Sequence, residues 1–323
     1  MQILGQDRNL KFIDHAIENN LSTLLIGETG SGKTTMVQEK AKEHGKKAIR
    51  FNLTGETTVD EFVGKHVLRE NPRSKKVETL WEDGVLLQAM KKGHWLIVDE
   101  INAALPEILM VLHPLLDDDK AVLVANNQCE VVEAHPDFRF FATMNPEEEY
   151  TGTKTLNKAF KSRFQVILKV EYPENTIEDQ ILQFREGIAP SLSFQMVSIA
   201  NFIRKMKEDG QVYFTFSTRD LIQWARLSKS LDVHDAFEIS ILNKANGDGV
   251  KILETYKKVM TEFREIERDK PTYSPENLLK GFALLETEKQ GLKKQKKEIQ
   301  EQAVAEMLAT LTKQGSKDEG GGV

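Results

Sequence analysis

The chain has 323 residues, 40% of them hydrophobic, a formal net charge of −6 and a single cysteine, Cys129, so no disulfide can form within it. This length leads us to expect two domains or one large domain with an appendage, with enough apolar residues for a real core, and the acidic balance argues against a basic nucleic-acid coat or an anionic-membrane binder. No apolar run reaches the ~20 residues of a membrane span, no charged-then-apolar leader opens the sequence, and the histidines lack zinc-site spacing, so a cytoplasmic protein without a membrane partner is expected.

Through residue 172 the sequence alternates strand-like apolar runs with amphipathic segments, the pattern of an α/β domain. Strands are expected at Ser22–Ile26, Ala48–Asn52, His94–Val98, Phe138–Met144 and Gln165–Val170. A helix is expected from Lys33 to His44, stopped by Gly45, and another from Val59, with Thr58 as its N-cap. Ala121–Val124 and Cys129–Val132 flank Ala125-Asn126-Asn127-Gln128 and read as a β-hairpin. Pro173 and the polar stretch Glu174–Glu178 read as a break. Residues 173–265 then read as a small helical domain, with helices around Ile181–Phe184, Val197–Met206, Leu221–Leu227, Ala236–Leu242 and Ile252–Met260. Residues 266–323 comprise a linker at Lys270–Pro275, a charged helix over Glu276–Gln314 and a Gly-rich tail expected to be disordered.

The chemistry concentrates in three places. Leu24-Leu25-Ile26 feeds Gly27-Glu28-Thr29-Gly30-Ser31-Gly32-Lys33-Thr34-Thr35, which is G-x-x-x-x-G-K-[ST] between a strand and a helix. Glycines let the backbone curl so that several N–H groups face one phosphate, and the helix adds its positive end. Lys33 can reach β- and γ-phosphates, and Thr34 offers a hydroxyl to Mg²⁺. Downstream, the strand Trp95-Leu96-Ile97-Val98 ends in Asp99, placed to hold Mg²⁺ together with Thr34, and Glu100, placed to take a proton from water. The third place is Ala142-Thr143-Met144-Asn145-Pro146, where a strand exits into an amide that can hydrogen-bond a γ-phosphate or the attacking water.

In order and spacing these segments resemble the AAA+ ATPases, and in wording their MoxR/dynein-related branch, with its MoxR-like and CobS-like members. Val98-Asp99-Glu100-Ile101-Asn102-Ala103-Ala104, Ala142–Pro146 and Ser217-Thr218-Arg219-Asp220-Leu221 carry the likeness, which extends over residues 1–263. The resemblance implies a P-loop NTPase core, a parallel sheet sandwiched by helices, followed by a helical lid. It implies that Asn145 senses the γ-phosphate, that Arg163 in Ala159-Phe160-Lys161-Ser162-Arg163-Phe164 is an arginine finger for a neighbouring subunit, and that Arg219 contacts the nucleotide from the lid. Lys161 is a poorer finger, since an ammonium lacks the planar fork.

Further implied are a homo-oligomeric ring, a hexamer, ATP and Mg²⁺ as cofactors, and a client protein, often one with a von Willebrand A domain. The chain has no D-x-S-x-S pattern, so such a domain is expected on another polypeptide. A nucleic-acid motor and the ATPase subunit of a metal chelatase are the alternatives, and the missing basic patch counts against the first. The insert Gly64–Gly84 and the hairpin before Glu130–His135 resemble pore-flanking elements, which makes Ala125–Gln128 and the stretch Lys75–Val77 substrate-contact candidates. An ordinary surface hairpin is the competing reading. The phosphate loop departs from the branch's Pro-Pro-Gly wording, which changes loop stiffness rather than the glycine positions. Asp117-Asp118-Asp119 reads as a solvated turn, and Lys293–Lys297 as a wet helix face.

Overall fold

The computed structural model describes residues 4–70, 75–146 and 156–269. The expected linker from Lys270, the charged helix and the tail lie outside the described residues. Everything discussed below up to Met260 belongs to one compact unit.

In chain order the elements are α1 (Asp7–Glu18), β1 (Thr23–Gly27), α2 (Lys33–Glu43), β2 (Ala48–Asn52), α3 (Val59–Phe62), the antiparallel pair β3 (Gly64–Glu70) and β4 (Val77–Asp83), α4 (Val85–Lys92) and β5 (Trp95–Asp99). A 3₁₀ turn, Ile101–Ala103, leads to α5 (Pro106–Leu116), the hairpin β6 (Ala121–Val124) and β7 (Glu130–Glu133), β8 (Arg139–Met144), α6 (Lys158–Lys161) and β9 (Val166–Val170). Five helices follow: α7 (Asn175–Glu186), α8 (Pro190–Glu208), α9 (Thr218–Leu227), α10 (Val233–Ser240) and α11 (Gly249–Asp269).

The main sheet has the order β2-β5-β8-β1-β9, and every pairing in it is parallel. Strands buried on both faces must be apolar throughout, as Trp95-Leu96-Ile97-Val98 are. The period of two sorts the side chains into layers. Leu24, Leu96, Val98, Phe140 and Ala142 pack with α4, α5 and α6 through Leu86, Met90, Ile108, Leu112 and Phe160. Leu25, Ile97 and Phe141 pack on the opposite face with Ile13 and Ile17 of α1 and Met36 and Val37 of α2. The register sets Thr23 beside Phe141, Asn52 beside Asp99 and Gly27 beside Val170, so the carboxyl ends of β1, β5 and β8 open onto one edge. That edge is where an open α/β sheet offers a crevice.

All five expected core strands form, each within a residue of its expected start. Among the helices without an expected counterpart are α1 and α4, which cover the two sheet faces through Ile13 and Ile17 and through Leu86 and Met90. The helix expected from Val59 is a single turn, although Thr58 caps it with a full capping box. It stops because the chain turns into β3 at Gly64, whose φ of +149° suits glycine, and Gly84 closes the same corner with its N–H on the Val63 carbonyl. The second hairpin resumes pairing at Glu130 rather than Cys129, since Gln128 and Cys129 both adopt left-handed backbone and prolong the turn.

The polar stretch expected to break the chain is instead a helix start. Glu174 precedes α7, and Glu178 on its first turn is completely buried. The helices pack around Leu182, Ile199, Leu221, Trp224 and Phe237, with the rings of Phe237 and Tyr256 stacked at 4.1 Å.

Candidate functional site

Between β1 and α2 the loop turns twice through the left-handed region, at Gly30 (φ 76°) and Gly32 (φ 94°). Gly30 has a second constraint: a Cβ there would stand 2.7 Å from the Cβ of Ser217, at the start of α9. The loop therefore curls under the first turn of a helix from the other part of the unit, and α2 starts at Lys33 with its first amides facing the loop. The Ser31 hydroxyl is buried in this curl and has no hydrogen-bond partner among the described residues.

Lys33 is buried, and its Nζ donates to the carbonyls of Gly27 at 2.6 Å and Glu28 at 2.8 Å, and to Asn145 Oδ1 at 3.2 Å. Burial pulls its pKa down to about 8, against the carboxylates of Asp99 and Glu28, which favour the charged form. The Asn145 side chain, just past the end of β8, thus meets the lysine of the loop.

Asp99 is 3% exposed and fully engaged. Its Oδ1 accepts from Thr34 Oγ1 at 2.8 Å and from Thr143 Oγ1 at 2.7 Å, and its Oδ2 forms a very short ion pair with Arg50 Nε. Four elements therefore converge on one carboxylate: α2, β2, β5 and β8. Glu100 follows with an exposed side chain on a left-handed backbone (φ 58°), a conformation that costs an L-residue roughly 1 kcal/mol or more. That turn sends the carboxylate out of the strand line while Asp99 stays inside it.

Arg219 is the second residue of α9 and exposed; a Cβ on Gly30 would stand 3.2 Å from its Cβ, and both residues line a cavity of about 970 Å³. The loop residues Ser31, Gly32 and Thr35 line one wall, and Ile181, Arg219 and Ile222 the other. That volume suits a nucleotide-sized ligand. The donor set also fits Mg²⁺: Thr34 supplies a hydroxyl and Asp99 a carboxylate, and the hard ion would complete its shell with phosphate oxygens and water. Among the described residues no cluster of three His, Cys, Asp or Glu could hold a metal by itself.

Lys33 is thus hydrogen-bonded to Asn145, and Thr34 to Asp99, while Arg219 lies against Gly30 of the same loop. Arg163 is not part of this group. It precedes β9, whose Val166 pairs with Thr23 and whose Val170 pairs with Gly27, so it lies at the amino edge of the sheet, a strand length of about 17 Å from the loop edge. Its Nε is 3.2 Å from Asp117 Oδ1 and its Nη1 donates to Ala159 O at 2.8 Å. Asp117 follows α5 at the start of the exposed turn the sequence reading expected, and there it pairs with Arg163. The sequence reading missed Arg50 and Thr143 as holders of Asp99. A charged residue inside strand β2 and a hydroxyl inside buried β8 were the available signals, but only the register aims them. It also missed Tyr172, whose hydroxyl donates to Thr29 O at 2.9 Å.

Comparison with known proteins shows the family. Residues 22–164 match the AAA domain of the dynein-related subfamily, and residues 178–263 match the CbbQ/NirQ/NorQ C-terminal domain. The chain is similar to midasin of Dictyostelium discoideum, with 34% identity over 212 residues that cover 64% of this chain and 4% of midasin. It therefore spans a small fraction of that protein's length. It is also similar to an uncharacterised protein of Staphylococcus saprophyticus, 30% identical over 227 residues, covering 70% of this chain and 84% of the other. Protein NorQ of Paracoccus denitrificans is 28% identical over 250 residues, covering 76% and 87%.

Proposed function

The chain belongs to the dynein-related, MoxR-like AAA+ ATPases and carries a C-terminal domain of the CbbQ/NirQ/NorQ type, and from that membership we propose a ring-forming motor that spends ATP to activate or remodel a partner protein. The observation that carries the reading is two hydrogen-bonded groups, Lys33–Asn145 and Thr34–Asp99–Thr143, at the carboxyl edge of the sheet, beside a loop whose Gly30, Ser31 and Gly32 line a cavity together with Arg219.

Each residue then has a task. The Lys33 ammonium exchanges the Gly27 and Glu28 carbonyls for β- and γ-phosphate oxygens, and the loop amides hold the same phosphates. Thr34 and Asp99 are the Mg²⁺ side of the site. Bound there with the nucleotide, Mg²⁺ supplies charge neutralisation on the phosphoryl oxygens. Glu100, turned away from the strand by its backbone, accepts a proton from the attacking water. Asn145 orients that water or holds the γ-phosphate. Arg219 closes on the phosphates from the lid.

Arg163 completes a different copy's site. Its place at the amino edge of β9 keeps it from the loop of its own chain, and its half-exposed guanidinium suits a site formed between neighbours. The ring we propose is a homohexamer. The partner is a protein with a von Willebrand A domain, in keeping with this branch. No helix among the described residues is long and apolar enough to cross a membrane, which suits a cytoplasmic motor.

The test is the mass of the Glu100→Gln protein by light scattering, with and without ATP and Mg²⁺. A nucleotide-dependent ring-sized particle that hydrolyses ATP at least about 100-fold more slowly is expected. Mixing it with Arg163→Ala protein should restore part of the turnover. A monomer under both conditions, or mixtures without recovery, would count against the shared site.

A further inference from the structure

A deeply buried ion pair lies outside the group around Asp99. Glu178 on α7 is completely buried and takes both terminal nitrogens of Arg204 on α8, at 2.7 and 2.8 Å. The same carboxylate accepts from Thr218 Oγ1, at 2.5 Å, and Thr218 is the first residue of α9. Arg204 uses its Nε on the carbonyl of Phe216, at 2.8 Å, and its Nη1 also reaches Asn201 Oδ1 at 3.1 Å. One guanidinium and its carboxylate thus grip the chain on both sides of Ser217. Ser217 is the residue that sits against Gly30, and Arg219 is two residues further on.

That guanidinium also lies over the ring of Tyr172, 4.4 Å from the centroid. The Tyr172 hydroxyl ends on Thr29 O in the phosphate loop. Tyr172 precedes Pro173, where the chain passes from β9 into α7. A second tie runs parallel to it: Lys207, three residues beyond Arg204 on α8, pairs with Glu28 at 3.6 Å.

Packing stability alone does not explain a buried ion pair, because well-packed apolar residues serve stability as well or better. What a planar fork adds is orientation: its donors and its stacking face fix several elements in one geometry. Resting on the reading of Gly27–Thr34 and Arg219 as nucleotide contacts, we propose that Tyr172 and Arg204 are positioning residues that set Arg219 against the phosphate loop, through Glu178 and Thr218. Movement of the Thr29 carbonyl is carried by the Tyr172 hydroxyl and ring to the guanidinium, and from there to the first turn of α9.

A double-mutant cycle on the full chain tests this. Tyr172→Phe keeps the ring under Arg204 and removes only the hydroxyl. The Kd for a fluorescent ATP analogue and the kcat for hydrolysis are measured for the parent, Tyr172→Phe, Arg219→Ala and the double variant, with thermal melts to check folding. Tyr172→Phe is expected to weaken binding or turnover about 5-fold, the worth of one hydrogen bond, and to have no further effect in the Arg219→Ala background. Arg204→Lys, which keeps the charge but loses the fork, should show the same non-additivity with a larger effect; if it does not fold, the Tyr172 cycle still decides. Equal effects of Tyr172→Phe in both backgrounds, or none in the parent, would overturn the relay and leave the role of Arg219 standing. An Arg219→Ala protein that binds and turns over ATP normally would overturn that role, and the relay with it.

Discussion

Around β1, β5 and β8 the interior is mostly hydrocarbon: Leu24, Leu25, Leu96, Ile97 and Val98 are wholly buried, Asp99 and Thr143 are buried polar groups at the carboxyl edge, and the backbone is satisfied by parallel strand pairing. Between α7, α8 and α9 the interior holds a carboxylate, a guanidinium and a hydroxyl in contact with one another. The first kind of core is non-directional and strong, and it fixes a rigid edge. The second depends on angles and distances, so it fixes the pose of α9 and is also the part whose pose a small displacement can change. The site spans both. On the proposed reading, the phosphate-binding groups sit on the sheet edge, and Arg219 sits on the directional part.

The sharpest way to break this comparison is Lys33→Ala. If binding energy belongs to the loop edge, nucleotide affinity should fall at least about 100-fold, measured by titration with a fluorescent ATP analogue. Retained affinity would move the binding role to the lid.

Next in size is Glu178→Ala, which leaves the Arg204 guanidinium buried without its carboxylate. A loss of about 3–5 kcal/mol is expected. Native-state hydrogen exchange should show it confined to α7, α8 and α9, with the β1 and β5 amides keeping their protection. Equal loss across the sheet would mean that the two cores are not separable.

The smallest effect is a titration. The folded pKa of Lys33, about 8, lies below the ordinary 10.5 because of burial. Between these values the unfolded chain holds more protons, so the nucleotide-free protein gains stability as pH rises through this window. Nucleotide affinity should move the opposite way, since only the ammonium attracts phosphate. Above pH 8, Kd is expected to rise by up to about tenfold per unit, with proton uptake on binding detectable by calorimetry in buffers of different ionisation heat. A flat profile would place the lysine proton elsewhere.

The loop edge was legible because its determinants are contiguous. Gly27–Thr35 announces its own backbone, and Trp95–Glu100 announces a buried strand with two acids at its end. Asn145 was legible by its position after a third such strand. Arg50 was not, because a charge at the middle of β2 looks like an ordinary exposed residue until the register sets β2 beside β5 and delivers it to Asp99. Glu178 was misread for a related reason. A Pro followed by a stretch with four polar residues in five has the composition of a loop, and only the arrival of Arg204, 26 positions away, makes a buried carboxylate tolerable there.

The sequence by itself determined the α/β alternation, the phosphate loop, the acid pair after β5 and the family, because period, apolar runs and short motifs are local physical codes. Tertiary structure decided the rest: which hydroxyls and which arginine hold Asp99, that Arg163 lies at the sheet edge away from the loop of its own chain, and that Tyr172, Arg204 and Glu178 join the loop to α9. Those outcomes depend on strand register and on pairs of buried charges, and both are set by partners distant in sequence.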